Sequence, residues 1–239
     1  MRGMLAELLD LLLPRACARC GGAVDGAGVF CKRCVAAIPR IAAGGCPLCQ
    51  LPVVGAPALC GGCAHQRLPL AQIAAEAPFA GEVAHWVHAF KYPREGLAGL
   101  DPRPGAALAT LIADAARRLA GEAPVFVAPV PMHPTKLRER GFHPASDLSR
   151  SVAAALGTRV DPGALRQLRP TASQTGLDRR ARRRNVDGAF AARAGLRGVS
   201  CVALVDDVVT TGATLAECAR ALRRAGVRSV VAVCAARTL

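Results

Sequence analysis

The sequence predicts an α/β chain: a parallel sheet flanked by helices, preceded by a small metal-bound module. Three observations point there. Short apolar runs alternate with helical patterns from Glu82 onward, the order that builds parallel sheets with right-handed crossovers. One stretch, Cys201 to Leu215, reads as a strand, an acidic pair, a hydroxyl-and-glycine loop and a helix. Eight of the eleven cysteines fall in four C-x-x-C pairs within the first 63 residues. The expected division is 1–68 for an N-terminal helix with the cysteine module and 69–239 for the sheet.

In chain order, Met1 to Leu13 is Leu-rich but carries Glu7 and Asp10, and it has no A-x-A cleavage site. It reads as an amphipathic helix ending at Pro14 rather than a signal peptide. That points to the cytoplasm, and in a reducing compartment the cysteines point to metal before disulfides. The pairs are Cys17/Cys20, Cys31/Cys34, Cys46/Cys49 and Cys60/Cys63. Ten residues separate the two pairs of each half, and the second half starts 29 residues after the first. Two thiolates three apart on a tight turn reach one tetrahedral Zn²⁺, and two such knuckles complete its coordination. Two structural four-cysteine sites follow, with no open position for catalysis. One occupied site, or pairs exchanged between sites, also satisfies the spacing, and free or redox-active cysteines are the plainer alternative. About 50 residues with so few large apolar side chains could hardly fold without metal. Cys201, Cys218 and Cys234 lie in apolar or helical context and are read as core.

Pro69 to Ala80 changes composition and reads as a linker. Val83, Trp86, Val87 and Phe90 recur at helical spacing, and Lys91-Tyr92-Pro93-Arg94 ends that helix. Gly105–Leu119 and Ala145–Leu156 read as helices, Val125–Val130 as a strand, Pro131–Pro144 as a basic loop. A strand is expected within Arg159–Leu168 and a last one at Ser229–Ala235. Ligands of such sheets sit at the carboxyl ends of the strands, so the segments after 130 and 206 should share one crevice.

Val202 to Val205 are all apolar, as a buried parallel strand requires. Asp206 and Asp207 follow as wet carboxylates at the strand end. Thr210, Thr211, Gly212, Ala213 and Thr214 lead into a helix ending near Ala225, with Gly226 as its cap. A loop entering a helix offers unpaired N–H groups and the positive dipole end, which suit a phosphate. Two carboxylates beside it suit the ribose hydroxyls of a sugar phosphate, or Mg²⁺ held through water. No G-x-x-x-x-G-K-[ST] or G-x-G-x-x-G occurs, which removes the usual ATP and dinucleotide loops. No apolar run reaches the ~20 residues of a membrane span. The net charge of +14 suggests an anionic partner. Nine Arg and two Asp put +7 of it between Arg166 and Arg197.

The Asp206–Thr214 stretch resembles the phosphoribosyl-diphosphate (PRPP) motif of type I phosphoribosyltransferases. Three more segments match one subfamily: Ala89-Phe90-Lys91-Tyr92; Val130 to Phe142 with Pro131, Lys136, Arg138, Arg140 and Gly141; and Gln174 to Phe190 with Leu177, Arg182, Arg184, Asn185, Val186 and Gly188. With the cysteine pairs in front, nearly the whole chain resembles the ComF/GntX family of competence protein F-like phosphoribosyltransferases. It departs at Arg140-Gly141-Phe142-His143-Pro144, where the family has Asn and Gln after the Phe. The resemblance implies a type I phosphoribosyltransferase-like sheet behind a double zinc ribbon. It implies PRPP with Mg²⁺ as ligand, ribose hydroxyls on Asp206 and Asp207, and the 5′-phosphate on 210–214. Lys91 is the implied residue at the diphosphate, and Arg184, with Arg182, is implied to close over the site. It also implies a part in DNA uptake during natural competence, with single-stranded DNA and other competence proteins as partners. The acceptor is not implied, and no general base is evident. The alternatives are a single-stranded nucleic-acid-binding accessory protein that keeps the sugar-phosphate site without transfer, and a zinc-ribbon scaffold. Eight aromatic residues leave few stacking platforms for single strands.

Overall fold

A computed structural model describes residues 16–24, 28–42, 45–53, 59–66, 68–93, 101–171 and 179–239. The expected first helix, Arg94, Gln174 and Leu177 lie outside them. Five parallel strands form the central sheet in the order β1-β7-β6-β2-β3. They are β1 (Gln72–Pro78), β2 (Phe126–Pro129), β3 (Arg159–Val160), β6 (Cys201–Val209) and β7 (Ser229–Arg237). A separate antiparallel pair joins β4 (Leu165–Gln167) to β5 (Phe190–Ala192). Central strands β6 and β7 are almost continuously buried, as strands covered on both faces must be.

The two faces carry two cores. One face packs α3 (Gly81–Lys91), α4 (Arg103–Arg117) and α6 (Pro144–Leu156) on the sheet through Val83, Leu108, Leu111, Leu148 and Val152. The other takes α8 (Ala213–Arg224) through Leu215, Cys218 and Leu222. The remaining helices are α1 (Lys32–Ala37), α2 (Gly61–Gln66), α5 (Pro134–Arg140) and α7 (Arg179–Val186). Gly226 follows α8 at φ +95°, and a Cβ there would come 2.9 Å from Arg197 Cα. Cys201, Cys218 and Cys234 are buried, as expected. No described helix is long and apolar enough to cross a membrane.

Four expectations change. Pro69–Ala80 is not a linker, because Gln72–Pro78 is the edge strand β1. Its Glu76 is buried at 3% exposure and ion-paired to Arg40 and, at 3.0 Å, to Arg118. The cysteine module covers its free edge: Ile73 N–H donates to Leu48 O at 2.6 Å, and Ile41 N–H to Glu76 O at 2.8 Å. An edge strand is thereby blunted. The basic loop contains helix α5, and the strand expected within 159–168 is two short ones, β3 and β4. Finally, β6 runs three residues beyond Asp206. Asp207 is therefore inside a strand and only 4% exposed, not wet.

Candidate functional site

The acidic pair and the glycine loop open into a cleft of about 1050 Å³ at the carboxyl ends of the strands. Gly212 caps α8 with φ +74°, a left-handed conformation that costs glycine nothing and other residues strain. Thr211 Oγ1 accepts from Ala213 N–H at 3.4 Å. Asp206, Asp207 and all of Thr210–Thr214 line the cleft, and so does Lys91 from the end of α3. Lys91 Nζ lies 2.6 Å from Asp207 Oδ2. Burial lowers the Lys91 pKa, but the charges of Asp207 and Asp206 outweigh it and raise the net value. Asp206 is pushed up to about 7 by dehydration and by the Asp207 charge, against the pull of Lys91.

The walls bring together segments far apart in sequence. Phe90 meets Phe142 edge-on at 5.4 Å, and the Arg140 guanidinium sits 5.0 Å over the Tyr92 ring while donating to its hydroxyl at 3.3 Å. The lysine-tyrosine element and the R-G-F element thus form one wall, with Lys136 and Arg140 on the cleft. His143 and Pro144, the departure from the family pattern, start α6. His143 Nδ1 accepts from Ser146 N–H at 3.1 Å, and Pro144 takes the first turn. Burial holds the His143 pKa below its usual value, which fits a neutral ring that accepts. Arg182 lines the cleft, while Arg184 lines a smaller neighbouring cavity of about 320 Å³ with Arg183, Glu217 and Arg220. Arg237, which belongs to none of the sequence motifs, lines the cleft from the end of β7. The available signal was a charged residue at the carboxyl end of the last parallel strand.

The cysteines gather as two groups of four: Cys17, Cys20, Cys31, Cys34 and Cys46, Cys49, Cys60, Cys63. Within each, every sulfur lies within 4.8 Å of the others. Cys20 and Cys31 sulfurs are 3.9 Å apart, and Cys49 and Cys60 sulfurs 3.6 Å. Ligands about 2.3 Å from a tetrahedral Zn²⁺ stand about 3.8 Å from one another, so the spacing fits the ion. Cys17 and Cys46 are lowered to about 6: burial raises them, but backbone N–H groups, including those of Cys31 and Cys60, outweigh it. Both groups are structural-zinc sites by donor set and spacing.

Comparison with known proteins agrees. A double zinc ribbon domain family matches residues 8–64. The DNA utilization protein YhgH of Salmonella typhimurium is 33% identical over 214 residues, covering 88% of this chain and 91% of the relative. The corresponding protein of Salmonella typhi is 34% identical over 215 residues, with coverage of 88% and 91%. Competence protein F of Haemophilus influenzae is 32% identical over 121 residues, 50% of this chain and 53% of the relative. Among solved structures, the glutamine PRPP amidotransferase of B. subtilis, complexed with ADP and GMP, aligns with a TM-score of 0.39 and 22% identity. The alignment covers 61% of this chain and 30% of that one. With 33% identity to a relative spanned almost end to end, and a double zinc ribbon in front of a parallel α/β sheet, this chain belongs to the ComF/GntX family.

Proposed function

We propose that the cleft binds PRPP with Mg²⁺ and that the chain serves DNA utilization, in the uptake of DNA during competence. The observation that carries the ligand is the Asp206–Asp207 pair, held by Lys91 beside the Gly212-capped start of α8 in one cleft. The 5′-phosphate takes the N–H groups and hydroxyls of 210–214. The ribose hydroxyls take the two carboxylates. A hydroxyl on Asp207 competes with its ion pair and frees the Lys91 ammonium for the diphosphate. Lys136, Arg140 and Arg182 add positive charge on the same walls. Mg²⁺ bound with PRPP neutralises diphosphate charge. In transfer, the C1′–diphosphate bond breaks as the bond from a nucleophile forms, and diphosphate leaves with the electron pair. Both carboxylates are then engaged by the ribose, and the nucleophile's proton leaves to water. The names of the relatives, DNA utilization and competence proteins, support the cellular role. Arg184 belongs to this site only if α7 rotates, so Arg182 is the stronger assignment.

Calorimetry with PRPP·Mg²⁺ tests the site. Asp206→Asn with Asp207→Asn should weaken PRPP by roughly 1.5–3 kcal/mol for each charged hydrogen bond removed. Inorganic phosphate, which lacks the ribose, should bind the variant at least as tightly as it binds the wild type. Equal PRPP affinity in both proteins refutes the assignment.

A second reading, single-stranded DNA along α7, is favoured by Arg180, Arg183 and Arg184. They are exposed at i, i+3 and i+4, one helix face. Replacing the three by Ala should weaken oligonucleotide binding and flatten its log–log salt dependence by about 0.7 for each phosphate no longer neutralised. An unchanged slope leaves α7 a solvated face.

A further inference from the structure

Arg237 is a buried cation with an unused donor. It is 4% exposed, and its Nε has no hydrogen-bond partner. Among the described residues no carboxylate pairs with it. Its Nη1 donates to a single backbone oxygen, the carbonyl of Cys49, a ligand position of the second four-cysteine site. A buried charge without a counter-charge is costly, so its surroundings matter. They are the cleft. Arg237 stands on β7 beside Val209 on β6, and Thr238 N–H donates to Val209 O at 3.0 Å, one residue before the Thr210–Thr214 loop. The main chain of Arg237 is pinned on the other side by Phe79 N–H.

The same knuckle enters the cleft directly. Leu51, two residues after Cys49, is a wall residue. Cys46 N–H donates to Leu51 O at 2.7 Å, so the turn that presents the metal ligands also fixes Leu51. Gln50 between them clamps the turn to the sheet: its Oε1 accepts from Ala75 N–H at 3.1 Å and from Arg118 Nη2 at 3.2 Å. Nothing comparable ties the first site to the cleft among the described residues. Cys17, Cys31 and Cys34 join the opposite core and Cys20 is exposed, and no described residue between 16 and 34 is a wall residue, as Leu51 is for the second site.

We propose that Arg237 is an anion-binding residue of the cleft and a positioning link to the second zinc site. Anion binding and metal retention at that site then support one another, while the first site is independent. The ligand class is a phosphate or diphosphate group. This rests on the proposed phosphate character of the cleft but not on the ribose or on PRPP. Coupling between two sites is reciprocal, so it is read from both ends.

The test uses the full zinc-loaded chain and inorganic diphosphate as probe. By calorimetry, Arg237→Gln should bind diphosphate about tenfold more weakly or worse, and Arg237→Lys, which restores the charge, should recover part of the loss. In the wild type, diphosphate should slow release of one of two zinc ions to a chelating dye and leave the other unchanged. Cys20→Ser, lacking the first site, should keep that protection on its remaining zinc. Arg237→Gln should lose it. If Arg237→Gln unfolds, the Lys variant and the protection seen in wild type and Cys20→Ser still decide. Wild type that binds no diphosphate, full affinity in Arg237→Gln, or zinc release unaffected by diphosphate overturns the proposal. Failure of the ribose assignment alone would leave diphosphate binding intact and show only with PRPP.

Discussion

The two four-cysteine sites repeat one pattern and rest on different things. The first lies against the helical face. Phe30, just before Cys31, packs on Trp86 of α3 with ring centroids 5.6 Å apart, and Cys17 and Cys34 join the core that holds Leu108 and Val127. Its Cys20 is exposed. The second lies on the α8 face, where Cys46, Cys49 and Cys63 join the core of Ile73, Phe126 and Leu204. The module straddles the edge strand β1, with one metal site on each side of the sheet. The spacing repeat shows how each ion is held. What each site supports depends on the surface it touches, and among the described residues it is the second site that reaches the cleft, through Leu51 and Arg237.

The largest expected effect breaks this symmetry. Cys49→Ser removes a ligand that is 2% exposed in the sheet core, and with it the knuckle that pairs to β1 and receives Arg237. Loss of a structural metal belongs to the upper tail of single-mutation effects, about 4 kcal/mol or more. Cys20→Ser also removes a ligand, but from the exposed side of the first site. Each variant should carry one zinc by elemental analysis. Thermal unfolding should drop steeply for Cys49→Ser, while the sheet of Cys20→Ser melts close to wild type. Equal losses would mean that the two sites support the sheet alike.

What can be read from the sequence divides along the same line. The cysteine repeat and the Asp206–Thr214 stretch are local chemistry: neighbouring residues carry the donors, so their order is enough. β1 escapes a sequence reading because in Ile73-Ala74-Ala75-Glu76-Ala77 the one β-branched residue, Ile73, is followed by alanines and a glutamate, which strands disfavour. Its Glu76 looks like a solvent residue until Arg40 and Arg118 arrive from 36 and 42 positions away. Asp207 reads as wet because the apolar run stops before the acidic pair, and its ion-pair partner, Lys91, comes from the end of α3, far away in sequence. Arg182 and Arg184 cannot be told apart by order alone. Residues two apart on a helix point about 200° from each other, and which one meets the cleft depends on how α7 docks. Arg237 carries no local pattern, since its role lies in the contact with Cys49.

A smaller effect sharpens the first half of the comparison by asking what docks the exposed knuckle. An apolar and an ionic contact join it to α3. The apolar one is Phe30 and Trp86, 6% and 5% exposed. The ionic one is Arg19 Nε to Glu82 Oε2 at 2.7 Å, with side chains 30% and 28% exposed. Apolar area taken from water holds at any ionic strength, whereas an accessible ion pair is weakened by salt and by the freedom its side chains give up. Trp86→Ala should therefore cost about 3 kcal/mol, the lower end for truncating a buried aromatic residue. It should also speed release of one zinc to a chelator, because the knuckle loses its support. Glu82→Gln should leave both the melting temperature and zinc release unchanged at moderate salt. The measurement is the pair of variants side by side, at low and at high salt. If Glu82→Gln accelerates zinc release as much as Trp86→Ala, and salt does the same to wild type, charge docks the first knuckle and the apolar contact is incidental.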